Sequence, residues 1–314
     1  MTSKRRALVT LWVALLIVSM SLSLDVRHAG VIYGTRPWTG TVHLQSSTQS
    51  NSSSGVRPLI FPQGAVTGKQ TVIMILVEFT DVKHSTMEED VGEKLSDLNE
   101  YWSEVSYGKI SLSGFTTRWY TLRNNLEYYG ADKGSETDPN GWRLIVDSVS
   151  VADRDVDFSM YKQVIIVHAG KDQTDSGKGG DLWPAHWILS SEDWISTNDG
   201  TKVSHAIYVS EYALLGTYAH EFGHSLGLPD LYDVSHKEVF VGPWSLMDSG
   251  DELGDPEGSS PGGLEAWSRI ELGWISPIAL FPTSSGVSQM VYPLEENAGP
   301  RAVRVPITSQ TYYL

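Results

Sequence analysis

The sequence predicts an α/β fold: a twisted mixed sheet, a helix that carries the functional residues, and a smaller irregular subdomain on its C-terminal side. Three observations carry that expectation. Apolar strand-like runs alternate with amphipathic helical runs as far as about residue 225. Residues 220–230 read HEFGHSLGLPD, two histidines four apart at the end of a helical stripe. Beyond Gly227 the chain turns rich in glycine and proline, which suits an irregular segment.

Taken in order, Lys4-Arg5-Arg6 is a basic start, and Ala7 to Leu24 is an uncharged, largely apolar run. This reads as a signal peptide or a signal anchor over residues 1–24, so the protein is expected outside the cell or held at its surface. Residues 25–69 form a pro-segment or flexible linker, with a Ser/Thr/Gln/Asn-rich tract from Gln45 to Gly55. Thr71 to Val77 is a continuous β-rich apolar run and so a buried strand. Met87 to Val105 is a helix, Ile110 to Leu122 holds one or two strands, and Trp142 to Val151 is a second helix. Val164 to His168 is another buried strand, and Ala206 to Val209 is a strand leading into the helix with the histidine pair. A further helix is expected near Leu264 to Leu272. The main domain then spans residues 70–285, and 286–314, with its β-like alternation, is the start of a truncated β-rich region.

Composition narrows the function. With 23 basic and 38 acidic residues the formal charge is −15, and an acidic surface repels nucleic acid. There is no cysteine, so an exported chain must rely on an ordinary core instead of disulfides. Nothing after the N-terminal segment is apolar enough to span a membrane, and a monomer is expected.

The histidine pair carries the chemistry. Four residues apart on a helix, His220 and His224 share one face and can grip a single metal ion. Glu221 lies between them, the type of group that takes a proton from metal-activated water. Gly227 lets the chain leave the helix and turn back, which brings Asp230 round as a third ligand. Two neutral imidazoles, one carboxylate and an open position describe catalytic zinc. Glu265 and Glu271, on the later helix, are the rival third ligands. Asp233 reads as a solvated loop carboxylate. His168 and His186 read as structural, with the cleft as the other place for either. Asp172 to Asp181 is an oxygen-rich, glycine-bent loop without the ligand spacing of an EF-hand, so Ca2+ and a plain exposed loop are its two readings.

The string resembles the H-E-x-x-H-x-x-G-x-x-(His/Asp) signature of metzincin-type proteases, with Asp last as in the snapalysin and immune inhibitor A families. Val241 to Gly250 resembles their Met-turn, with Met247 beneath the metal. Blocks at Val77–Asp81, Glu104–Lys109, Ser260–Ser268 and Glu271–Ile275 also resemble immune inhibitor A-like peptidases. The resemblance implies a zincin fold, Zn2+ and hydrolysis of protein or peptide substrates. It departs at Ser249, where some metzincins have a tyrosine, so the oxyanion's second partner is unassigned. An extended substrate would pair near Ala206 or with an edge strand around Trp183 to Leu189. The alternatives are a surface binding or adhesion module with a structural zinc site, and a zinc hydrolase of another class.

Overall fold

The computed structural model of the chain describes residues 64–233, 238–281, 287–306 and 312–313. The expected targeting segment and nearly all of the expected pro-segment lie outside the described residues. These residues divide into two compact units, one running up to Leu264 and the other from Glu265 onward.

The first unit is built on a five-stranded sheet. Strand β1 (Gly68–Glu78) leads to helix α1 (Glu88–Val105) and strand β2 (Ile110–Thr121). Short α2 (Leu126–Gly130) and helix α3 (Gly141–Ala152) precede strand β3 (Gln163–His168) and the single-turn α4 (Gln173–Ser176). Strand β4 (Ala185–Ile188) is followed by a small hairpin of β5 (Ile195–Ser196) and β6 (Lys202–Val203), then by β7 (His205–Ser210) and α5 (Leu215–Ser225). The sheet order is β2-β1-β3-β7-β4, in which the first four strands are parallel and β4 runs antiparallel to β7 at the edge.

Burial on both faces explains why the central strands read as continuous apolar runs and not as alternations. Ile73, Ile75 and Val77 of β1 pack in one cluster with Leu144, Ile145 and Val149 of α3. Their neighbours Val72, Met74 and Leu76 point to the other face and are equally inaccessible. Ile110 to Leu122 resolves as one strand, with one extra residue of β2 opposite the step from Met74 to Leu76. The Thr117 hydroxyl accepts the Leu76 N–H at 3.1 Å, so the bulge leaves that donor satisfied.

Helix α1 buries Val91, Leu95, Leu98, Trp102 and Val105, a stripe spaced by three and four residues, and it packs against α5. After α5 the unit becomes irregular, as its glycine and proline content predicts. It contains a two-residue ribbon of β8 (Tyr232–Asp233) and β9 (Glu238–Val239) and 3-10 turns at Gly242–Trp244 and Ser249–Glu252.

The second unit holds α6 (Ala266–Glu271) and a three-stranded sheet of β10 (Ile278–Ala279), β11 (Val303–Pro306) and β12 (Tyr312–Tyr313). The alternation seen after residue 290 therefore does become strand, in two short pieces. Among the described residues no helix is long and apolar enough to cross a membrane.

Candidate metal centre

Helix α5 is positioned by absence of side chain as much as by its presence. A Cβ on Gly216 would lie 1.8 Å from the Asp251 carbonyl oxygen, so only glycine lets this turn of helix reach the Ser249–Glu252 segment. A Cβ on Gly223 would lie 2.6 Å from Met247 Sδ and 3.7 Å from the Trp102 ring. Met247 is fully buried there, against Gly223 of the helix. Phe222 meets Trp102 of α1 with ring centroids 5.6 Å apart.

The helix ends in the way the glycine predicted. Gly227 has φ +99°, its N–H donates to His224 O at 2.9 Å, and Leu228 N–H donates to Gly223 O at 3.0 Å. Those two bonds form a Schellman turn, which satisfies the last carbonyls and reverses the chain. Leu231 N–H then donates to Met247 O at 2.7 Å, fixing the returning segment to the Met-turn.

This path brings His220, His224 and Asp230 together. His220 Nδ1 lies 3.0 Å from Leu246 O, and His224 Nδ1 lies 2.8 Å from Leu228 O. A carbonyl only accepts, so each Nδ1 carries a proton, and Nε2 is the atom of each ring that can offer a lone pair to a metal in place of a second proton. Both Nε2 atoms stand 3.1 Å from Asp230 Oδ1. Three electron-rich atoms this close need positive charge among them. Ligand atoms about 2.0–2.1 Å from a tetrahedral zinc ion are about 3.3 Å apart, so the donor set fits that ion.

The local field agrees. Burial pushes the His220 imidazole down, but the bond to Asp230 and the charges of Glu221, Asp251 and Asp230 carry it up to about 9. Burial pushes the Asp230 carboxyl up, and the two histidines overcome this to hold it well below the usual carboxylate range. Asp251, whose Oδ2 is 3.9 Å from His220 Nδ1, is raised to about 6, chiefly by burial.

Glu221 is buried beside the pair, and its ligating oxygen lies within 4.8 Å of the histidine donors. Its Oε2 has no partner among the described residues. A carboxylate oxygen in that state marks a place where a further group belongs.

The remaining expectations sort by contact. Glu265 caps α6, accepting the Ser268 N–H at 2.7 Å, and Glu271 ends that helix. His168 is fully buried against Phe79 with Nδ1 on Ala169 O, a structural place. His186 is not remote: its ring stacks 6.4 Å from His224 and its Nε2 meets His205 Nδ1 at 3.1 Å. The Asp172–Asp181 loop gives calcium no support. Asp172 Oδ1 instead caps α4, accepting from Thr174 Oγ1 and Asp175 N–H. Among the described residues, the group that brings three such donors together is His220, Glu221 and His224.

Two site residues left no mark in the sequence. Asp248, almost fully buried, accepts the N–H groups of Phe240, Val241 and Gly242 on Oδ2, and of Ser249 on Oδ1. It thus shapes the loop that delivers Leu246 O and Met247. Tyr232, whose ring is 6.4 Å from that of His220, is the phenol beside the centre, where the Ser249 position has none.

Sheet, helix and site together make a mixed α/β domain whose helix α5 carries a histidine pair and a carboxylate set suited to a metal ion. Residues 159–273 match the family described as Immune inhibitor A peptidase M6, catalytic domain, so this part of the chain is similar to immune inhibitor A-like metalloproteases. It is 26% identical to Immune inhibitor A of Bacillus thuringiensis subsp. alesti, an alignment covering 72% of this chain and 43% of that protein. It is also 26% identical to the Pre-pro-metalloprotease PrtV of Vibrio cholerae serotype O1, over 57% of this chain and 24% of that protein. The chain therefore spans less than half the length of these relatives. Among solved structures, OgpA from Akkermansia muciniphila aligns at 17% identity and TM-score 0.41, over 74% of this chain and 65% of that one. Archaemetzincin from Methanopyrus kandleri aligns at 13% and TM-score 0.34, over 65% and 94%.

Proposed function

We propose that the protein is a secreted zinc endopeptidase in which His220, His224 and Asp230 hold the metal and Glu221 is the general base. One observation carries this reading: two Nε2 lone pairs and Asp230 Oδ1 converge within 3.1 Å, with the unpartnered Glu221 Oε2 alongside. Zinc bound there supplies a Lewis acid for the scissile carbonyl and lowers the pKa of water.

The chain's own groups do the rest. Glu221 accepts a proton from the attacking water as its oxygen bonds to the carbonyl carbon, and then delivers that proton to the amine as the C–N bond breaks. Leu246 O and Leu228 O hold the two imidazoles in the tautomer and direction that ligation requires. The edge strand β4 is antiparallel to β7 and has a free outer edge among the described pairings, which suits an extended peptide added as a further strand. Secretion rests on the basic and apolar N-terminal run, and extracellular proteins follow as substrates.

Cleavage of casein and of a quenched peptide, with and without chelator, tests the reading. The zinc-loaded protein should cut both, chelation should abolish cutting, and Glu221→Gln should retain stoichiometric zinc while losing about a hundredfold to ten-thousandfold in rate. Unchanged rates in Glu221→Gln would sink the mechanism. A structural zinc site in an adhesion module has no use for a buried, unpartnered carboxylate at Glu221, so the peptidase reading is preferred.

A further inference from the structure

Next to the metal centre lies a cavity of about 490 Å³ that includes the His224 ring in its wall. Ile188, Leu189, Trp194 and Leu226 give it an apolar lining. Two of these are large and open to solvent, Ile188 at 44% and Trp194 at 41% exposure. Its polar lining includes Gln163, at the start of β3, with Gln70, His186 and His205.

Gln163 is more than nine-tenths buried, and its Oε1 has no partner among the described residues. A buried amide oxygen without a donor is costly, and a ligand that brings a donor removes the cost. No Asp or Glu lines the cavity, so a lysine or arginine side chain would find no counter-charge there. The matching group has a flat apolar body and a hydroxyl at its tip. A phenol both donates and accepts, so it satisfies the Gln163 amide whichever end that amide presents.

We infer that this cavity is a side-chain pocket that selects tyrosine next to the cleaved bond, with Gln163 reading the phenol hydroxyl and Trp194 and Ile188 holding the ring. The assignment rests on the peptidase reading for its place beside the reaction, and on Gln163 for its chemistry.

Binding tests it without turnover. Two peptides that differ only in Tyr or Phe are titrated calorimetrically into zinc-loaded Glu221→Gln protein. The Tyr peptide should bind about three- to tenfold more tightly, the effect of one hydrogen bond to a formerly unpaired group. An O-methyltyrosine peptide, which needs no further variant, should lose that gain. Gln163→Met should bring the Tyr and Phe affinities together, while Trp194→Ala should weaken both and keep their ratio. Equal affinities for Tyr and Phe, or a preference that survives Gln163→Met, would overturn the pocket. Tyrosine preference in a chain that cleaves nothing would sink the proposed reaction and leave the pocket standing. Cleavage without that preference would do the reverse.

Discussion

A histidine whose Nδ1 is tied to a carbonyl has one lone pair left to offer, and the centre has two such rings. Their shared neighbour is Asp230, which makes it the residue that most directly decides the coordination. Asp230→Asn keeps the shape and removes the charge. It should weaken zinc binding by at least about a hundredfold, since even outer partners of metal ligands are worth ten- to a hundredfold. A competition titration against a zinc indicator measures this, and unchanged affinity would remove Asp230 from the proposed ligand set. Much of this was legible in one stretch of eleven residues. The proximity of His220, Glu221 and His224 follows from helical spacing, and the glycine exit returns Asp230 to 3.1 Å from both imidazoles. Asp248 and Gln163 were not legible, because a carboxylate or amide means little until its surroundings are known.

At the scale of the element, α5 depends on two glycines that a helix would ordinarily disfavour. Gly216 is the stricter of them. The atom facing it is the Asp251 backbone oxygen, which cannot rotate away as a side chain can. Gly216→Ala should therefore cost about 3 kcal/mol despite the better helix propensity of alanine, as overpacking of a tight contact does. The helix would shift from the Ser249–Glu252 turn, so thermal unfolding should fall and zinc affinity should fall with it. A variant with unaltered melting would show that the contact yields.

For the whole molecule, the sheet sets how stability responds to acid. Glu78 ends β1 at its C-terminal edge, where burial pushes its carboxyl up. Hydrogen bonds from Thr121, Lys83 and His84 reverse this and hold it at about 2, below an ordinary value of 4.5. A depressed folded value means that the stabilisation is complete above about pH 4.5 and is lost as pH falls toward 2. Lys83 is more than half exposed, so solvent screens its share, and the group is worth on the order of 2 kcal/mol. Denaturant melts between pH 6 and 2.5 should show this loss, and Glu78→Gln should flatten it. If the slope is the same in both proteins, other carboxylates carry the acid response.

By itself the sequence determined the alternation of strands and helices, the histidine pair, the glutamate between them and the turn after Gly227. Each of these is written in contacts between residues a few positions apart, where the period of the backbone converts spacing directly into geometry. Only the tertiary structure decided which carbonyl orients His220, which oxygen stands between the imidazoles, and where His186 and Gln163 face the cleft. Those contacts join residues from separate strands and loops, and the energy that sets them belongs to the packed core and to buried polar groups finding partners. No short window of sequence contains that information.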